Sequence, residues 1–143
     1  MAYEEKIKLI VDNSIRNIEA GQDVIGYTFK VRLYTYRGTW LSCIERMALT
    51  LDGAPVDMDQ VVFRLNGKRF LVNQLKELFT EYWYILDKAE VIVLKDRGLT
   101  PGQHALGLDM SIRIPYSGYF GSYHCQDAAE TKVFTMDGRC GND

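Results

Sequence analysis

YTFKVRLYTY, residues 27–36, alternates without a break. Tyr27, Phe29, Val31 and Leu33 fall on one face, and Thr28, Lys30, Arg32 and Tyr34 on the other. A period of two is the mark of a half-buried strand. The pattern returns in ALGLDMSIRIPY (105–116), where Leu106, Leu108, Met110, Ile112 and Ile114 share a face. Pro115 ends that run because it has no ladder N–H. IERMALTL (44–51) runs into Asp52-Gly53, a turn dipeptide. VVFRL (61–65), Asn66-Gly67 and KRF read as a tight hairpin, since Asn-Gly supplies the positive φ angles of a type I′ turn. EVIVLK (90–95) is a further strand, DRGLTPGQH (96–104) a loop, and 131–136 a last strand. NQLKELFTEYW (73–83) differs: Leu75, Leu78, Phe79 and Tyr82 recur at helical spacing behind Asn73 as N-cap. About seven or eight strands, turns every ~8–12 residues and one short helix predict an all-β fold. The expected architecture is an antiparallel β-sandwich, jelly-roll-like, forming one domain over 1–143, with a tail at about 117–143 beyond the regular pattern.

Charge and targeting signals narrow the function. Seventeen basic against 19 acidic residues give a net charge of −2, which argues against a protein that binds nucleic acid by neutralising phosphates. No basic block suggests a membrane patch, and no apolar run approaches the ~18 residues of a membrane span. The start, MAYEEKIKLIVDNSIRNIEAG, carries acidic residues where a signal peptide has its positive flank. Cys43, Cys125 and Cys140 form no CxxC pair and suit free thiols in a reducing compartment. Together these features predict a cytoplasmic protein.

Motifs for chemistry are sparse. The only histidines are His104 and His124, and His124 neighbours Cys125, so in a strand the two point to opposite faces. That does not supply the three ligands of a catalytic zinc site, and no metal is expected in this chain. Cys43, in LSCIE, reads as a buried, inert thiol. No nucleophile elbow or phosphate-cradling glycine loop is present. The acidic pairs in DMD (57–59) and EE (4–5) read as solvated loop charges. The aromatics are the excess: nine Tyr, two Trp and six Phe. Tyr34, Tyr36, Trp40, Trp83, Tyr116, Tyr119, Phe120 and Tyr123 lie outside the alternating faces. Three uses are open to them: a satellite core under loops, a protein interface, or a platform for sugars and polyphenols. Tyr, Trp and Arg are the types enriched at protein hot spots.

YTYRGTWLSCIERMALTLDGAPV, VVFRLNGKRFLVNQLKEL, Trp83 and GLTPGQHALGLDMSIRIPY resemble, in order and spacing, the small (beta) subunit of bacterial C-glycoside deglycosidases. The resemblance covers about residues 24–116, and YRGTWLSCIE and GLTPGQH…RIPY are its most specific blocks. It implies a β-sandwich that binds a large, TIM-barrel-like alpha subunit. That partner would hold a divalent metal, manganese, and the catalytic groups. The complex would act as a lyase on 3-keto C-glycosides with flavonoid-type aglycones, cleaving the carbon–carbon bond by acid–base assisted elimination. This chain would carry no metal and be inactive alone. On this reading Tyr36, Arg37, Trp40, Tyr116 and Tyr119 face the partner or the edge of the substrate. His124 is the one candidate for proton transfer, its ordinary pKa being near neutrality. The alternative is a non-catalytic carbohydrate- or polyphenol-binding module using the same aromatics.

Overall fold

A computed structural model describes residues 9–34, 38–78, 80–114 and 124–136. The strands are β1 (Arg16–Ala20), β2 (Asp23–Arg32), β3 (Thr39–Trp40), β4 (Ile44–Leu51), β5 (Ala54–Pro55), β6 (Val61–Leu65), β7 (Lys68–Leu71), β8 (Tyr82–Trp83), β9 (Lys88–Leu94), β10 (Gly102–Ile114) and β11 (His124–Met136). Two antiparallel sheets run in the orders β1-β2-β9-β6-β7 and β11-β10-β4-β5, and β3 pairs with β8 outside both. The chain crosses from the first sheet to the second between β2 and β4, returns between β5 and β6, and crosses again between β9 and β10. The all-β sandwich is therefore observed.

Alternation sends one face of each main strand inward. Tyr27, Phe29 and Val31 of β2, Val61, Phe63 and Leu65 of β6, and Ala89, Val91 and Val93 of β9 are buried. They meet Met47 and Leu49 of β4 and Leu106, Leu108, Met110 and Ile112 of β10 in one contiguous cluster. Burying each large side chain contributes roughly 1.5–3 kcal/mol, and the sum stabilises the stacked sheets. Asn66 and Gly67 take positive φ (54° and 82°) and close the β6–β7 hairpin with Leu65 opposite Lys68.

The helix expected over 73–83 is not formed. A 3₁₀ segment spans Val72–Glu77 and β8 follows at Tyr82–Trp83. Asn73 is not its N-cap; its amide donates to Asp59 Oδ1 (2.5 Å), and Gln74 accepts from the N–H of Leu71 (3.3 Å). The reason is tertiary. Leu75 and Trp83 both reach the core, and the extended Tyr82–Trp83 pair meets β3 with Thr39 opposite Trp83. Aromatic residues favour such a pleated, half-buried surface, and a helix through 83 would lose it.

Two other expectations shift. β10 starts at Gly102, inside the expected loop, and β11 starts at His124 rather than at 131. Their register is unbroken from Gly102 opposite Met136 to Ile114 opposite His124. Gln126, Asp127, Ala128, Ala129 and Glu130 are weak strand formers, so pairing and not propensity extends β11. Tyr34 fixes this strand from the side: its hydroxyl donates to the carbonyl of Gln126 (2.5 Å) and lies 3.3 Å from that of Met110. Burial, with the Asp127 charge behind it, pushes the Tyr34 phenol well up, so it stays a donor. Glu130 Oε1 accepts from the backbone N–H groups of Leu9 (2.8 Å) and Ile10 (2.7 Å).

Candidate functional site

The aromatic corner is built where the small β3–β8 pair leaves the sandwich. Trp83 is fully buried and meets Phe63 edge-on, with centroids 5.5 Å apart. Of the three uses left open for it by the sequence, the core one holds: the ring anchors the corner from inside. Its indole N–H donates to the carbonyl of Asp87 (2.8 Å), and the Asp87 N–H returns to Tyr84 (3.0 Å). The turn between β8 and β9 is thus fastened to a core side chain. It has to present Tyr84, Ile85 and Leu86 outward, and they are exposed by 61%, 43% and 89%.

Trp40 extends this surface. Its side chain is exposed and stands edge-to-face on Tyr82 (4.9 Å, 78°), which stands edge-to-face on Tyr84 (4.8 Å, 66°). Gly38 lies against Tyr82: a Cβ there would sit 2.7 Å from the ring and 2.6 Å from the carbonyl of Trp83. Glycine is required by this close approach. Rings crossed at such angles make no flat platform for a sugar or polyphenol, which disfavours the stacking-module alternative. They do make a ridge of apolar area with polar tips, ending in an almost fully exposed leucine. Contiguous exposed apolar surface of this kind marks an interaction site.

Of the sequence-predicted site residues, Trp40 is on this ridge. Tyr36, Arg37, Tyr116 and Tyr119 lie outside the described residues, and so does the side chain of His124, whose backbone begins β11. Tyr82, Tyr84, Ile85 and Leu86 were missed. The signal was there in YWYIL (82–86), an unbroken apolar run. The helical reading through 83 absorbed its first half.

The candidates for chemistry are engaged structurally. Asp57 accepts from the N–H of Asp59 (3.0 Å), capping a 3₁₀ turn, and Asp59 accepts from Asn73. Cys43 is buried, and the Arg113 guanidinium lies 3.8 Å from its sulfur. Among the described residues no group of three or more His, Cys, Asp or Glu could hold a metal ion, and no helix is long and apolar enough to cross a membrane.

His104 has both ring nitrogens occupied. Nδ1 lies 2.7 Å from Asp52 Oδ2 and Nε2 lies 2.7 Å from the carbonyl of Thr100. Both partners are acceptors, so only the doubly protonated ring satisfies the two. The Asp52 hydrogen bond first, and then the Thr100 carbonyl, raise the His104 pKa. His104, with the N–H of Ala105 second, lowers that of Asp52. An unfolded histidine titrates near ~6.5, so the stabilisation from His104 is full below that pH and is lost as pH rises through the raised folded value. The share from Asp52 is present above about 3.9 and is lost as pH falls through its lowered value. Asp52→Asn keeps an amide that tolerates the positive φ (52°) at this turn but removes the charge. The melting temperature of the native chain should therefore fall more steeply from pH 6 to 9 than that of Asp52→Asn; equal slopes would refute the clamp.

A family model of the C-glycoside deglycosidase beta subunit matches residues 5–116. The chain belongs to that family. It is 32% identical over 100 residues to a C-glycoside deglycosidase beta subunit of Eubacterium cellulosolvens, covering 69% of this chain and 68% of that one. It is 30% identical over 109 residues to a 3'-dehydrocarminate deglycosidase beta subunit of a Microbacterium species, covering 76% and 78%. An Arthrobacter globiformis C-glycoside deglycosidase beta subunit is 31% identical over 72 residues, half of this chain and 54% of that one. These relatives are all named as beta subunits, so membership of the C-glycoside deglycosidase beta-subunit family implies a partner subunit. The family match contains Trp40 and the whole of 82–86, and it ends before β11.

Proposed function

We propose that this chain is the small subunit of a heteromeric C-glycoside deglycosidase and docks on its large subunit through the ridge of Trp40, Tyr82, Tyr84, Ile85 and Leu86. The observation that carries this is Leu86, 89% exposed on a turn fastened to the buried Trp83, in a chain of a beta-subunit family. Tyr36, Arg37, Tyr116 and Tyr119 join the same interface on this reading. The large subunit is TIM-barrel-like and holds the divalent metal, manganese, together with the main catalytic groups. The substrate is a 3-keto C-glycoside with a flavonoid-type aglycone, bound at or near the interface. The ketone acidifies the adjacent C–H. A base takes that proton, its electron pair closes a sugar C=C bond, and the aglycone carbon leaves with the electrons of the broken C–C bond and a proton from an acid. The protein works in the cytoplasm and is inactive without its partner.

Co-expression tests this. An isomerase-like gene from the same genomic neighbourhood is expressed with and without this chain, and size-exclusion profiles and cleavage of a 3-keto C-glycoside are followed. A stable complex that cleaves, with neither subunit active alone, is expected. A chain that elutes as a monomer beside an active large subunit would overturn the assignment.

A further inference from the structure

The outer face of the β1-β2-β9-β6-β7 sheet is strongly basic. Residues that alternate with the buried ones point outward, and the strand registers set them in rows across the sheet. In one row Arg32 lies opposite Lys88. In the next, Lys30, Glu90, Arg64 and Arg69 follow one another across β2, β9, β6 and β7. Arg16 of β1 starts the row after that, opposite Thr28. All of these cations are exposed. Glu90 is the one carboxylate in the rows, and it is committed: Oε1 accepts from Arg64 (3.3 Å) and Oε2 lies 2.9 Å from the Thr28 hydroxyl. Arg16, Lys30, Arg32, Arg69 and Lys88 form no ion pair among the described residues. This band of positive charge sits on a chain whose net charge is −2.

The arrangement works against the fold. Like charges directly opposite each other across strands repel, and Arg32–Lys88 and Arg64–Arg69 are two such pairs. A local rule broken in this way is expected where a surface has work other than folding. Arg16, Lys30 and Lys88 also line one polar hollow of about 210 Å³ beside residues 11–14, and Asp12 at its margin is paired with Lys132. Five strands spaced about 4.8 Å apart make the band roughly 19 Å long, the length of about six extended residues. Beside it the face turns aliphatic, with Ile92, Val62 and Leu71 in one row and Leu94 beyond them. Leu71 and Leu94 are 47% and 44% exposed. A phosphate backbone gains nothing from these side chains, and the rows hold no aromatic ring on which a base could stack. They equally lack the Trp or Phe that enters a membrane interface. A polypeptide supplies carboxylates and apolar side chains together.

We infer that this face docks an acidic segment of another polypeptide, its carboxylates on the band from Arg16 to Arg69 and its apolar side chains on Leu71 and Leu94. The inference does not rest on the assembly proposed above, because the ridge and the band share no residue. The test titrates the full chain at low salt with a peptide of four Glu-Leu-Glu repeats, with phosphatidylserine vesicles and with single-stranded oligothymidylate. The peptide should shift the backbone amides of Lys30, Arg64 and Lys88 saturably in NMR spectra. Arg32→Gln combined with Lys88→Gln should weaken it about tenfold, the size expected for two exposed charge contacts. Arg46→Gln combined with Lys76→Gln makes the same charge change beside β4 of the other sheet and should weaken it less than about twofold. Replacing the leucines of the probe by serine should cost about threefold in the native chain and nothing in Leu71→Ser combined with Leu94→Ser. Absence of saturable shifts at the three amides, equal losses in the two charge variants, or indifference to the leucines would overturn the inference. Tighter binding of the vesicles or the oligonucleotide, lost in the Arg32→Gln, Lys88→Gln chain, would overturn it by giving the face to lipid or nucleic acid. That variant should melt at or above the native temperature, since it removes a repelling pair. A clear fall would show those cations to be engaged within the fold and would overturn the inference as well.

Discussion

Leu86→Asp is expected to abolish stable assembly with the large subunit while leaving the free chain folded as before. Leu86 is 89% exposed, so its side chain contributes little to the fold. Substitutions at such positions usually change stability by less than about 0.5 kcal/mol. In the complex the same side chain would be desolvated, and truncating a hot-spot residue costs about 2 kcal/mol or more, roughly 30-fold in affinity. A carboxylate there adds the penalty of an unpaired buried charge. Affinity is to be measured with purified subunits and the folded state by thermal melting. Assembly at native affinity would remove the turn between β8 and β9 from the interface. Trp40→Ala is the softer companion, because it also loses its edge-to-face contact with Tyr82.

Trp83→Ala should have the largest effect on stability. A fully buried Trp or Phe replaced by Ala costs about 3–5 kcal/mol, and the carbonyl of Asp87 would lose its donor as well. A domain with a total stability of about 5–15 kcal/mol comes close to unfolding under that loss. Trp83→Phe keeps an aromatic ring against Phe63 and loses the indole N–H. It should cost about 1–2 kcal/mol and loosen the turn, so binding to the partner falls while the sandwich stays folded. Chemical denaturation midpoints decide the first claim. A Trp83→Ala chain within about 1 kcal/mol of native would show that Trp83 does not anchor the corner.

The sequence announces the sandwich where one face of a strand is buried and the other is wet. β2, β6, β9 and β10 all show that alternation, and the Asn66-Gly67 turn sets the register of its hairpin. It misleads at 73–83, because Leu75, Leu78 and Tyr82 have helical spacing. That spacing equally suits a 3₁₀ turn that drops Leu75 inward before an extended Tyr82–Trp83 pair. Periodicity cannot separate the two readings when the deciding partner is β3, some forty residues earlier. β11 was half seen, since Gln126–Glu130 lack strand propensity and are held by their neighbour on β10. The occupied nitrogens of His104 depend on Asp52, brought near by the β4 and β10 register and invisible to local spacing. The aromatic, glycine-bearing character of 34–40 was legible, and Trp40, placed outside the alternating faces, is exposed.

Glu130 has a consequence for how the protein is made. Its carboxylate receives the N–H groups of Leu9 and Ile10, residues 121 and 120 positions earlier. During synthesis those two groups leave the ribosome long before their acceptor exists. Residues 9 and 10, and all of β10 on its β11 side, must therefore wait until β11 has been translated. The native sandwich closes late, around a contact of very long sequence separation, and such contacts slow folding. Until then the nascent β10 edge is an unpaired strand, open to wrong partners.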